Sequence, residues 1–290
     1  MKRLRISAIS FLNTAPLMWD FEHGNRGGDF EIAYTVPAAC AEALRAGTAD
    51  IGIIPAISYQ TIPDLLVVPE VAIAADGAVR SILLLSKIPA ETIASVAVDT
   101  SSRTSVALLQ ILFSKFWRPD VETRDGSSLP SFVPMQPDLE RMLETCDAAL
   151  LIGDPALTVD RDRYHVLDLA EEWKRSTGKP FVFAFWAVRR QAIEHHPLRD
   201  DLAGIFQQSR EVGLRNVDAI AREWAPRVGI SEPEVISYLT TNISYFLDSQ
   251  KQAGLQLFFE LSAELGLIRE ARTPEFLSAI PVASIPGATR

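Results

Sequence analysis

Two spacings of apolar residues alternate along this chain. Short apolar runs ended by turn residues give way to stretches in which apolar residues recur every third or fourth position. The first spacing predicts strands and the second helices, and their alternation predicts an α/β architecture. Leu4–Ile9 reads as a first strand, leading into a polar turn, Ser10-Phe11-Leu12-Asn13-Thr14, that opens a helix. Phe30–Thr35 reads as a second strand. Pro37–Ala46 is a helix, with Pro37 in its first turn and Gly47 at its stop. Residues 50–54 form a third strand, followed by Pro55 and a helical turn through Tyr59, and residues 67–73 are extended. Residues 81–86 form a continuous apolar strand of the kind expected to be buried on both faces.

A similar pattern then begins again. Residues 93–99 are a strand, 104–116 a helix, Ser131–Met135 a short strand and 137–145 a helix. Ala148–Ile152 is a buried strand ending in Gly153-Asp154-Pro155, an echo of Ile53-Ile54-Pro55-Ala56 in the first half. Residues 181–188 form a strand expected to return the chain to the first lobe, antiparallel to 81–86. From Gln191 onward the pattern is helical, with amphipathic segments at 202–216, Val217–Val228 and 245–267. Residues 279–290 read as an arm. The expected fold is a two-lobed periplasmic-binding-protein-like (type 2) clamp with two crossing hinge strands and a helical C-terminal segment. Lobe 1 is expected to comprise 1–85 and 183–290 and lobe 2 to comprise 86–182, with a ligand cleft between them.

At 290 residues the chain has room for two such lobes. A net charge of −9 counts against a nucleic-acid or anionic-membrane partner, but leaves room for one local positive pocket. The apolar run at 181–188 is too short to span a bilayer. Met1-Lys2-Arg3-Leu4-Arg5 is basic, but the apolar run after it stops at Ser10 and no small-residue cleavage site follows. A first strand fits better than a leader, so a cytoplasmic location is expected. Cys40 and Cys146 have no metal-ligand spacing and read as buried thiols in a reducing compartment. His23, His165, His195 and His196 form no metal or triad pattern, and no P-loop, GxGxxG or GxSxG is present. Oligomeric state is not indicated.

The candidate chemistry centres on residues 96–105. An apolar strand runs through a turn of Thr100, Ser101, Ser102, Arg103, Thr104 and Ser105 into a helix. A helix start has unpaired N–H groups and a positive dipole end. Five hydroxyls and an arginine there exceed what a plain N-cap needs and suit a carboxylate or another small anion. Asn13, in the turn after the first strand, could enter the cleft or cap the next helix. Ser81, at the start of a crossing strand, could donate to a ligand, and Arg80 beside it reads as a surface residue. Gly153 and Asp154 end a buried strand, where Asp154 is a candidate acid, base or acceptor, or equally an N-cap. Phe181, Phe183, Phe185 and Trp186 read as core.

These segments resemble the chorismate dehydratases of the futalosine route to menaquinone. The resemblance rests on residues 10–17, Arg80-Ser81, 99–106, 147–157 and the segment from Trp173 through Thr177-Gly178-Lys179-Pro180-Phe181-Val182-Phe183-Ala184. It implies the clamp fold, a cytoplasmic location, no cofactor, and conversion of chorismate to 3-[(1-carboxyvinyl)oxy]benzoate by loss of water. It places Asn13 and Ser81 at the reacting part of the substrate as the catalytic pair. It makes the 101–105 turn a carboxylate cradle, with Thr100, Gly153 and Asp154 beside it. The sister enzyme that makes 1,4-dihydroxy-6-naphthoate carries a His at the end of the second-lobe strand, where this chain has Gly153-Asp154. A non-catalytic anion-binding protein is the other reading.

Overall fold

A computed structural model describes residues 3–24, 28–118 and 129–278. The expected arm at 279–290 lies outside the described residues. In chain order the elements are β1 (Leu4–Ile9), α1 (Ala15–His23), β2 (Phe30–Thr35), α2 (Pro37–Ala46), β3 (Ile51–Pro55), β4 (Leu65–Ala75) and β5 (Ile82–Ser86). They continue with β6 (Ser95–Asp99), α3 (Arg103–Ile111), β7 (Ser131–Met135), α4 (Leu139–Thr145), β8 (Ala148–Ile152), α5 (Asp154–Leu157), β9 (His165–Asp168), α6 (Leu169–Thr177) and β10 (Phe181–Arg189). Helices then dominate: α7 (Arg190–Ile193), α8 (Leu202–Arg215), α9 (Val217–Val228), α10 (Glu232–Ser237) and α11 (Ser249–Glu264).

Among the described residues the strands form two five-stranded sheets, ordered β2-β1-β3-β10-β4 and β7-β6-β8-β5-β9. The sheets share one plan. Three strands run parallel, and a fourth enters antiparallel beside the third: β10 against β3 in the first sheet, β5 against β8 in the second. The chain therefore crosses between sheets at 76–81 and returns at 178–180.

This corrects the expected pairing of 181–188 with 81–86. β10 pairs with β3 and β4 (Phe185 opposite Ile54 and Ala72), and β5 pairs with β8 and β9 (Leu84 opposite Leu150 and Leu167). The sequence division also leaves β5 at the end of the first lobe, whereas its partners lie in the second sheet. Both strands are apolar on both faces, so their patterning marks them as central without naming their neighbours.

One core cluster runs from Leu4 and Phe30 through Phe185 and Trp186 to Leu108 and Phe258. A smaller one, with Leu83, Met142 and Leu151, lies on the other face of the second sheet. The C-terminal helices brace the first sheet. Gly213 of α8 lies so close to Pro16 of α1 that a Cβ there would overlap the Pro16 carbonyl. Ser209 Oγ adds a 2.8 Å hydrogen bond to the Leu17 carbonyl. That contact fixes the start of α1, and so the turn that carries Asn13. Both cysteines are buried, and burial pushes their thiols up, that of Cys40 to about 11. Among the described residues no helix is long and apolar enough to cross a membrane.

Candidate active site

The cleft between the sheets is lined on one side by Ile9, Phe11, Asn13 and Pro55 and on the other by residues 102–105, Ile152 and Gly153. The polar lining residues lie in the turns and helix start that follow β1 and β6, beyond the C-terminal ends of the strands, where open α/β sheets bind ligands. Asn13 lies in the short helical turn Leu12–Thr14 after β1, and its Oδ1 accepts from Thr14 Oγ1 at 3.3 Å.

The hydroxyl-rich turn follows β6. The side chain of Ser102, the N-cap residue of α3, makes no capping hydrogen bond, so the first N–H groups of that helix keep their capacity for an acceptor. Thr104 and Ser105 are buried at the same helix end. Ser101 turns away from the cleft: its N–H and hydroxyl both donate to Asp99 Oδ1, at 2.8 and 2.7 Å. Thr100 lines neighbouring hollows with Asp99 and donates its N–H to the Met135 carbonyl. Arg103 lines the cleft, but its guanidinium forms a 2.7 Å ion pair with Glu42 of α2, across the lobes. A larger cavity, about 460 Å³, opens on the other side of Ser102 and Arg103 toward Leu267 and Ile268, away from Asn13.

Gly153 has φ +67°, and a Cβ there would sit 2.7 Å from the Phe11 ring. Only glycine lets the end of β8 press against Phe11 in this conformation. The next residue, Asp154, reaches over the cleft to accept the Leu12 N–H at 2.9 Å. Burial pushes its carboxyl up to about 6, against the lowering effect of that hydrogen bond. Thr104 Oγ1 likewise accepts the Ile57 N–H at 3.2 Å, and the Ser101 carbonyl the Ala38 N–H at 3.2 Å. These bonds hold the lobes together, so the conformation is a closed clamp.

Ser81 closes the first crossing segment and is fully buried. Its carbonyl accepts the Gly153 N–H at 2.8 Å, and its Oγ accepts the Tyr238 hydroxyl at 2.7 Å. The Asn13 side chain lies near enough to the Tyr238 hydroxyl to favour its charged form. Ser81 and Asn13 thus both adjoin Tyr238, a residue of the C-terminal segment that the sequence reading did not single out. Arg80 holds a left-handed backbone, φ +65°, pinned by Asp168. That carboxylate accepts the N–H groups of Val79 and Arg80 and also caps α6. Asn242 Nδ2 donates to the Ala78 carbonyl at 2.9 Å, so the crossing segment is anchored on two sides. Among the described residues no group of three or more His, Cys, Asp or Glu could hold a metal ion.

Comparison with known proteins gives the family and the fold. Residues 4–264 match the family model described as menaquinone biosynthesis. A chorismate dehydratase from Thermus thermophilus is 30% identical over 269 residues, covering 86% of this chain and 92% of the relative. Among solved structures, protein AF1704 from Archaeoglobus fulgidus superposes with a TM-score of 0.71 at 17% identity, covering 92% of this chain and 98% of that one. The alkanesulfonate-binding protein SsuA from Xanthomonas axonopodis, bound to MOPS, gives 0.66 at 17% identity over 93% and 96%. These structures share the periplasmic-binding-protein-like fold. The chain belongs to the menaquinone biosynthesis family.

Proposed function

We propose that the protein is a chorismate dehydratase, a hydro-lyase that converts chorismate to 3-[(1-carboxyvinyl)oxy]benzoate and water in menaquinone formation by the futalosine route. The supporting observation is that Asn13 and the uncapped N-terminus of α3 line one cleft. The relative from Thermus thermophilus points to the same substrate.

The reaction removes the C3 proton and the C4 hydroxyl of the chorismate ring, and the diene becomes aromatic. The C3 proton is acidified through the C1–C2 double bond by the ring carboxylate. Negative charge grows on that carboxylate as C3–H breaks, and N–H and hydroxyl donors at residues 102–105 stabilise it there. The electron pair forms the C3–C4 π bond, and C4–O breaks. The Asn13 amide donates a hydrogen bond to the departing oxygen, which takes up the proton removed from C3 and leaves as water, and Ser81 holds the hinge side of the site.

No Glu or His lines the cleft among the described residues, and Asp154 at its edge is engaged by the Leu12 N–H. The proton acceptor in this reading is the substrate's own enolpyruvyl carboxylate, brought to C3 by closure that also excludes water. Thr100, Ser101 and Arg103 shape the turn and the closure, and Gly153 and Asp154 seal the opposite wall. The lobes turn about the crossing segments 76–81 and 178–180. This work would be done in the cytoplasm, with no cofactor.

Incubating the purified protein with chorismate and following the diene absorbance tests the reading. Catalytic loss of that absorbance is expected. Binding of chorismate without its consumption would instead favour an anion-binding role.

A further inference from the structure

We propose that Tyr238 is a positioning residue that holds Ser81 by a hydrogen bond and lies beside Asn13, and so sets both for a single substrate. The inference rests on the proposed reaction. Tyr238 begins a π-helical turn, Tyr238–Asn242, after α10, far from either partner in sequence. Its ring is buried, and its hydroxyl reaches Ser81 Oγ at 2.7 Å. A buried tyrosine hydroxyl usually finds a partner, and that of Tyr238 finds Ser81, whereas that of Tyr245 is buried without one.

Tyr238 Oη and Ser81 Oγ can each donate to the other, and the bond fixes where the Ser81 hydroxyl sits. The Asn13 side chain acts on the same phenol hydroxyl. Tyr238 thus joins the three parts that must agree for closure: the turn after β1, the first crossing segment and the C-terminal helices. The helical turn is fastened to the crossing segment a second time by Asn242 and the Ala78 carbonyl. Burial and the negative charge of Asp154 push the Tyr238 hydroxyl up, so it stays protonated and serves as a donor across the working range.

Tyr238→Phe keeps the ring and removes the hydroxyl. Steady-state kinetics on chorismate should show kcat down by about tenfold or more with KM within about threefold, the split of a lost transition-state contact. In a double-mutant cycle with Ser81→Ala, the second substitution should add little to the first. Replacing Tyr238 with 3-fluorotyrosine keeps the packing and strengthens the donor, so it should alter kcat and leave the melting temperature unchanged. A kcat unmoved by either Tyr238 replacement, or fully additive effects in the cycle, overturns the positioning role while the reaction stands. A wild-type protein that leaves chorismate unconsumed overturns the reaction and this inference with it.

Discussion

The Asp154 carboxylate accepts the backbone N–H of Leu12 at 2.9 Å, and the two residues sit on opposite sides of the cleft. The bond forms only when the lobes meet, and closure buries the carboxylate that makes it. Burial holds the carboxyl at about 6, above its ordinary value of 3.8. Closure therefore takes up a proton. Its full advantage is present below the ordinary carboxyl value and is lost as pH rises through about 6. Small-angle scattering of the ligand-free protein should give a smaller radius of gyration at about pH 5 than at about pH 7.5, and Asp154→Asn should flatten that change. Equal radii in the wild type would contradict the closed geometry.

The same residue separates two accounts of the proton acceptor. If the substrate carboxylate takes the C3 proton, Asp154→Asn should retain at least about a tenth of wild-type kcat. Loss of about a thousandfold, with chorismate still bound, would mark Asp154 as a general base.

Gly153 is held at φ +67° against the Phe11 ring. Gly153→Ala should cost roughly 1–3 kcal/mol in strain and force the two walls apart. The expected signature is a chorismate affinity weakened by about tenfold or more, out of proportion to the loss of thermal stability. Gly213→Ala disturbs instead the brace behind the Asn13 turn. Its Cβ would overlap the Pro16 carbonyl, so it should lower stability by about 1–3 kcal/mol, and its effect on turnover should follow the displacement of α1.

Arg103 and Glu42 form an exposed ion pair between the lobes. Glu42→Gln should change folding stability by less than about 1 kcal/mol. It should also remove most of the salt dependence of chorismate binding, because a solvent-exposed pair is screened and a buried cradle is not. Identical salt dependence in wild type and variant would show that the pair does not hold the clamp.

The sequence carries local information well and pairing poorly, and the site divides along that line. Pro37 and Gly47 mark the ends of α2 because each has one favoured place in a helix; Gly47 adopts φ +70° at the C-cap. The turn at 100–105 stands out because five hydroxyls at one helix start exceed a cap. By contrast, Arg103 finds Glu42 sixty-one residues away, and Ser101 turns its hydroxyl to Asp99. Side-chain direction at a helix start is settled by neighbours that periodicity does not name. The strand at 181–188 is legible as buried, but its register with β4 is not, because a run apolar on both faces fits any central position. Tyr238 left one trace. Ser231 and Glu234 form a capping box that starts α10, and Tyr238 then falls on the same helical face as the buried Val235. A tyrosine placed on an apolar face usually finds a partner, and that tendency is the signal that could have drawn attention to it.

Product identity tests the account most directly. Chorismate mixed with the purified protein and followed by proton NMR should lose its ring diene resonances and gain, one for one, the aromatic resonances of 3-[(1-carboxyvinyl)oxy]benzoate, with the enolpyruvyl methylene protons retained. Asn13→Ala should bind chorismate and release little of this product. Unchanged chorismate resonances in the presence of wild-type protein, or a product that has lost its enolpyruvyl group, would contradict the proposed dehydration.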